Sequence, residues 1–177
     1  MSDQSASAAA IWPLPDVLRL RQISRLRENR MTTIYIDGDA CPVKAEIYRA
    51  AAKRGLRVVL VANVRVGAPS SVEVVVVGAA SDAADNWIAG ECRENDVVVT
   101  GDIPLASRAI KAKARAINHK GREFTEDNIG EALGMRDLMK HIRQVTGREI
   151  GPKPFSQKDR RRFMQEFSRL LDTLMRN

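Results

Sequence analysis

The chain has 177 residues, 44% hydrophobic and 29% charged, a size and composition that suit one soluble globular domain and are short for two. No apolar run approaches the roughly 18 residues of a membrane span, the N-terminus lacks the basic-then-apolar layout of a secretory signal, and two cysteines and two histidines far apart give no zinc-ligand spacing. A cytoplasmic protein with reduced thiols is expected, and the net charge of +7, concentrated in residues 140–177 with ten Lys and Arg against four acids, points to a polyanionic partner.

Residues 1–30 read as an extension, disordered at MSDQSASAAA and at most weakly helical after it, with Val17, Leu20, Ile23 and Leu26 set among arginines. Met31, just before the first strand, is an alternative start. Thr32–Asp37 reads as a strand. Pro42 suits a first helical turn, and the helix runs to about Arg54 with Gly55 as its stop. RVVLVAN (57–63) is a second strand without polar alternation, so both its faces are expected to be covered. VEVVVV (72–77) is a third. Ser81 caps a helix from Asp82 to about Arg93. VVVT (97–100) is a fourth strand, followed by a helix over Ile103–Ala114.

ARAIN gives a short fifth strand closed by a turn at HKG. Thr125 caps a helix that breaks near Gly134 and ends at Gly147. After the linker GPKPFS, Ser156 caps a last helix with a core stripe of Phe163, Phe167, Leu170, Leu171 and Leu174. Strands alternating with helices predict an α/β fold, a mainly parallel sheet flanked by helices on both sides, with a C-terminal helical extension. The expected division is 1–30 extension, 31–150 α/β domain, and 151–177 linker and basic amphipathic helix packing on that domain.

In an open parallel sheet, ligands bind beyond the carboxyl ends of the strands. Acids recur there: Asp37 and Asp39 after the first strand, Asp82 and Asp85 on one face of the helix start after the third, and Asp102 after the fourth. Singly, each has an ordinary explanation as a helix-start or turn residue. If those strand ends are adjacent, four or five carboxylates meet at one rim, and clustered carboxylates shift pKa or bind cations. An all-oxygen donor set suits Mg²⁺ or Mn²⁺, ions that orient phosphodiesters and activate water.

Lys44 is either a phosphate contact or a solvated helix lysine. Asn63 and Arg65, ending the second strand, either face the same rim or shape their loop. Cys41 reads as a small buried residue rather than a nucleophile, since no histidine is near it in sequence. Lys158, Arg160, Arg161 and Arg162 crowd the first turns of the last helix, where positive charge opposes the helix dipole, and they are the candidate contacts to an RNA backbone. Trp87 is expected to pack inward, which leaves little for base stacking.

Six segments in order, YIDGDACPVK, VEVVVVGAASDAADNWI, VVVTGDIPLASRAI, the FTEDNI helix start, MRDLM and PFSQKDRRRF, together resemble the YaiI/YqxD family of bacterial proteins over residues 31 to about 174. The resemblance implies a fold similar to PIN-like (NYN-type) nuclease domains, a Rossmann-like three-layer arrangement, and an acidic Mg²⁺-dependent site of ribonuclease type. Matched by motif, Asp37 and Asp39 stand in the first acidic segment, Asp82 and Asp85 in the second, and Asp102 in the third. Two places depart from the pattern. TGD stands where Ala is expected in the middle, and NHKG replaces an Asn/Asp-Pro-Arg-Gly turn, leaving His119 and Lys120 as phosphate contacts.

The leading expectation is hydrolysis of an RNA phosphodiester by metal-activated water at Asp37, Asp39, Asp85 and Asp102, with Asp82 in support. Two alternatives stand beside it. One is a metal-dependent phosphohydrolase with Asp37 as nucleophile and Asp39 as acid/base. The other is a non-catalytic RNA- or protein-binding module whose acids are structural.

Overall fold

A computed structural model describes residues 32–38, 41–78, 80, 82–147 and 154–176. Among them, β1 (Thr33–Asp37), β2 (Arg57–Ala62), β3 (Glu73–Val76), β4 (Val97–Val99), β5 (Arg115–Ile117) and β6 (Glu123–Phe124) form one sheet in the order β3-β2-β1-β4-β5-β6. The first five run parallel, and β6 pairs antiparallel with β5. The helices are α1 (Lys44–Ala52), α2 (Ala83–Glu91), α3 (Ile103–Lys111), α4 (Glu126–Thr146) and α5 (Gln157–Leu174).

Strand periodicity assigns the two faces. Ile34 and Ile36 of β1 join Val58, Leu60, Val97 and Val99 on one face, covered by Val43, Ile47 and Ala50 at α1 and by the stripe of α5. Tyr35 joins Val59, Val61 and Val98 on the other, covered by α2, α3 and α4. Both faces are therefore buried, which is why the central strands carry apolar runs with no polar alternation.

The stripe of α5 is part of this core. Phe163, Phe167, Leu170 and Leu171 are at most 4% exposed, and the two Phe rings stack at 5.1 Å. Burying each such side chain contributes roughly 2 kcal/mol. Arg54, at the end of α1, holds Asp172 of α5 at 2.8 Å. The start of α5 carries a capping box in which Asp159 and Ser156 exchange hydrogen bonds, so a carboxylate sits among the arginines of that first turn.

One expectation is corrected. No break occurs at Gly134: α4 is continuous through it. Gly134 is exposed with no packing neighbour, and its cost of about 1 kcal/mol relative to Ala is too small to interrupt the helix. β6 was not foreseen, because two residues are too short to show a period. Ser81 and residues 151–153 of the linker lie outside the described residues.

The NHKG segment forms a tight turn. Asn118 Oδ1 accepts the N–H groups of Lys120 and Arg122, both at 2.9 Å. Gly121 has φ +79°, and a Cβ there would lie 2.9 Å from the Phe163 nitrogen. Glycine is required on both counts, and the turn sits directly against the backbone of α5.

Candidate active site

The strand order runs outward from β1 on one side and from β4 on the other. It reverses between them, and a crevice opens beyond their C-terminal ends. Register pairs Ile36 with Val99, so Asp37 and Thr100 are the next residues on either side of it.

Gly38 shapes the first wall. Its N–H donates to the Val61 carbonyl at 2.7 Å, and a Cβ at this position would meet that same oxygen at 2.7 Å. The chain thus leaves β1 pressed against β2. On the other side the Thr100 hydroxyl donates to Asp37 Oδ2 at 2.9 Å. Its oxygen also accepts the Asp102 N–H at 3.0 Å. Asp102 caps α3, accepting the Leu105 N–H at 2.8 Å, with Pro104 in the first turn. One buried hydroxyl therefore links the strand-end acid to the helix-cap acid.

Together with Cys41 and His119, these residues line a cavity of about 340 Å³. Asp85, in the first turn of α2, feels the same charges. Its carboxyl is pushed up to about 6, first by burial and then by Asp102 and Asp37, with Asp82 adding and Arg108 opposing. Asp82 itself is exposed on the rim and accepts from Asn86 at 3.0 Å, and Asn86 in turn accepts from Arg108 at 2.8 Å. Asp37 and Asp102 thus share the cavity, and Asp85 lies within reach of their charge without lining it, with Asp82 beside it. Asp39 lies outside the described residues.

The sign of the Asp85 shift gives a prediction. A carboxyl raised from 3.8 to about 6 contributes stability that is fully present below pH 3.8 and is lost as pH rises through 6. Asp85→Asn should therefore stabilise the metal-free protein at pH 7.5, by on the order of 1 kcal/mol once solvent screening is allowed for. The gain should shrink at pH 4.5. Urea unfolding at the two pH values checks it, and a less stable variant at pH 7.5 contradicts it.

The remaining sequence candidates divide. Burial pushes the Cys41 thiol up to about 11, against a Val43 backbone hydrogen bond and the charge of Lys44. A thiol protonated at neutral pH is no nucleophile. Lys44 is half-buried beside it. Asn63 is half-buried and Arg65 exposed on the loop after β2, and neither lines the cavity. Arg160 forms an ion pair with the buried carboxylate of Glu46 on α1, and its guanidinium lies 5.3 Å from the centre of the Phe155 ring. It ties α5 to α1. Lys158, Arg161 and Arg162 are exposed at the start of α5, outside the cavity lining. Trp87 packs edge-on to Tyr35 at 6.2 Å, as expected.

Three contributors were not singled out from the sequence. Thr100 looked like the last residue of a strand, and Asn86 and Arg108 lie inside the segments read as helices. The two departures from the family pattern also meet in space. A Cβ on Gly101 would come within 3.3 Å of the His119 ring, which packs edge-on to Phe155 at 5.8 Å. Burial and neighbouring Lys120 hold the His119 imidazole below its ordinary pKa. A glycine at 101 makes room for a ring at 119.

Among the described residues, no three His, Cys, Asp or Glu side chains are disposed to hold a metal ion. Mg²⁺ keeps several waters and commonly takes only one or two carboxylates together with substrate phosphates. The all-oxygen donors Asp37 and Asp102, with Asp85 raised first by burial and then by their charge, fit such an ion. They do not fit zinc.

Fold and site define an α/β protein with an acidic crevice at the switch point of a parallel sheet. The chain belongs to the YaiI/YqxD family: the family described as "Uncharacterized BCR, YaiI/YqxD family" matches residues 35–173. It is 47% identical over 148 residues to a UPF0178 protein of Parvibaculum lavamentivorans, covering 82% of this chain and 97% of that one. To a UPF0178 protein of Ruegeria pomeroyi it is 44% identical over 151 residues, 83% of this chain and 98% of the relative. To one of Rhodopseudomonas palustris it is 48% identical over 139 residues, 76% and 86%. No solved structure matches it significantly. Among the described residues no helix is long and apolar enough to cross a membrane.

Proposed function

We propose that this protein is a Mg²⁺- or Mn²⁺-dependent nuclease of PIN-like type that hydrolyses RNA phosphodiesters in the cytoplasm. The observation that supports this reading is the placing of Asp37 and Asp102 in one cavity at the β1/β4 switch point, linked through Thr100, with Asp85 raised to about 6 by burial and by the charge of the other two. A crevice of this charge repels a phosphodiester unless a cation neutralises it. Asp37, Asp39, Asp85 and Asp102 would hold the ion, with Asp82 in support from the rim. Bound there, Mg²⁺ or Mn²⁺ would supply positive charge to the phosphate and lower the pKa of a water. Thr100 fixes the Asp37 carboxylate and the start of α3 relative to each other, so two donors are preorganised.

Asparagine variants separate charge from architecture. Asn at 102 still caps α3, and Asn at 37 still accepts from Thr100. With labelled single-stranded RNA in Mg²⁺ or Mn²⁺, the wild type should cleave, and Asp37→Asn and Asp102→Asn should each lose at least about a hundredfold in rate while remaining folded. EDTA should abolish cleavage. Cleavage undiminished in both variants, or insensitive to EDTA, contradicts the reading. Metal-independent RNA binding without cleavage moves it to the binding module.

A further inference from the structure

Beside the acidic cavity lies a second groove of about 580 Å³ along α4. The two share Gly101 and Asp102, so they are continuous. Past that shared lip the charge changes sign. Arg122, Arg136 and Arg143 line the groove, and among its described lining residues Asp102 is the one acid. All three arginines are exposed. Among the described residues, the carboxylate contact recorded for them is Arg136 with Asp137, on the surface at 3.4 Å, which is worth little.

Arg136 and Arg143 are two helical turns apart, about 10 Å along the axis. Between them the groove is apolar. Met135 and Met139, one turn apart on the same face, are 51% and 37% exposed, while Phe124 in the groove lining is only 4% exposed, with the Arg122 guanidinium 5.8 Å from its ring. Cations alternating with exposed thioether surface match a chain that is anionic on one edge and flat and apolar on the other. A duplex keeps its bases stacked inside and would leave this apolar floor uncovered. A protein partner would cover the floor but would have to desolvate three cations.

We infer that this groove holds single-stranded nucleic acid leading out of the acidic cavity, its phosphates on Arg122, Arg136 and Arg143 and its bases against Met135 and Met139. The inference rests on the proposed function only in placing the reacting phosphate at Asp102. Substrate affinity then comes from α4 rather than from the basic start of α5.

The test is fluorescence anisotropy with a short labelled RNA and a DNA of the same sequence, in EDTA so that nothing is cleaved. Wild type is compared with Arg122→Ala/Arg136→Ala/Arg143→Ala and with Lys158→Ala/Arg161→Ala/Arg162→Ala, thermal midpoints confirming that each is folded. The groove variant should bind at least about tenfold more weakly, with a salt slope shallower by about 2, while the α5 variant changes little. Tighter RNA than DNA binding would assign contacts to the 2′-hydroxyl, and equal binding to backbone and bases alone.

Undiminished binding in the groove variant, or no binding of either strand by wild type in EDTA or in Mg²⁺, overturns the inference. So does a wild-type dimer that Met135→Glu/Met139→Glu dissociates without affecting nucleic-acid binding, which would give the groove to a second copy. Groove-dependent binding with no cleavage in Mg²⁺ or Mn²⁺ leaves the inference standing and overturns the nuclease reading alone.

Discussion

Alanine in place of Gly38 should destabilise the fold by about 3 kcal/mol and lower the thermal midpoint by roughly 6–12 °C. The added carbon would lie 2.7 Å from the Val61 carbonyl oxygen, 3.0 Å from Leu60 Cδ1 and 3.1 Å from Ala62 Cβ. None of the three can swing away: one is backbone, and the others are fixed in the buried strand β2. Relief requires β1 and β2 to part at their C-terminal ends, which also breaks the 2.7 Å bond from the Gly38 N–H to Val61. The strand that moves carries Asp37, so the cavity should loosen as well. Chemical unfolding checks the cost, and a wild-type midpoint would contradict the close approach.

Asp96→Ala should be comparably damaging, by about 3 kcal/mol, for a different reason. Asp96 sits at the opposite end of the sheet and is 1% exposed. Its Oδ1 accepts the Thr33 N–H at 3.0 Å and its Oδ2 the Arg93 N–H at 2.9 Å, joining the start of β1 to the end of α2. Truncation leaves one buried and one half-buried N–H without that acceptor, at about 1–3 kcal/mol each. Asp96→Asn keeps one accepting oxygen and should lose about half as much. Urea unfolding of the pair measures this. Because Asp96 is remote from the crevice, the metal response of both variants should match wild type. Equal stability of Ala and wild type would show that the carboxylate does not hold these strands.

The architecture was legible where burial dictates composition. RVVLVAN could only be a strand covered on both faces, and the Phe163 to Leu171 stripe only a packed helix. Strand ends marked the candidate acids because loops follow them. The strand order was not legible: it depends on the crossover from β3 past β2 and β1 to β4, to which no single residue points. That order decides whether Asp37 and Asp102 are neighbours. Thr100 escaped notice because its role is a hydrogen bond across 63 positions of sequence. Arg160 read as a contact to an RNA backbone because its partner, Glu46, is a buried acid on a distant helix. Gly134 read as a breaker because a glycine in sequence does not reveal that its helix side faces solvent.

The central claim is that the carboxylates at the β1/β4 switch point are a cation site. The most direct measurement is thermal unfolding of wild type and of Asp37→Asn/Asp102→Asn, titrated with Mn²⁺ and with Mg²⁺. Wild type should gain about 2.7 kcal/mol at a hundredfold excess over Kd, a rise of roughly 5–11 °C. The double variant should start at a higher midpoint, since like-charge repulsion is removed, and should not respond. A wild type indifferent to both ions, beside a variant no more stable than it, would contradict the claim.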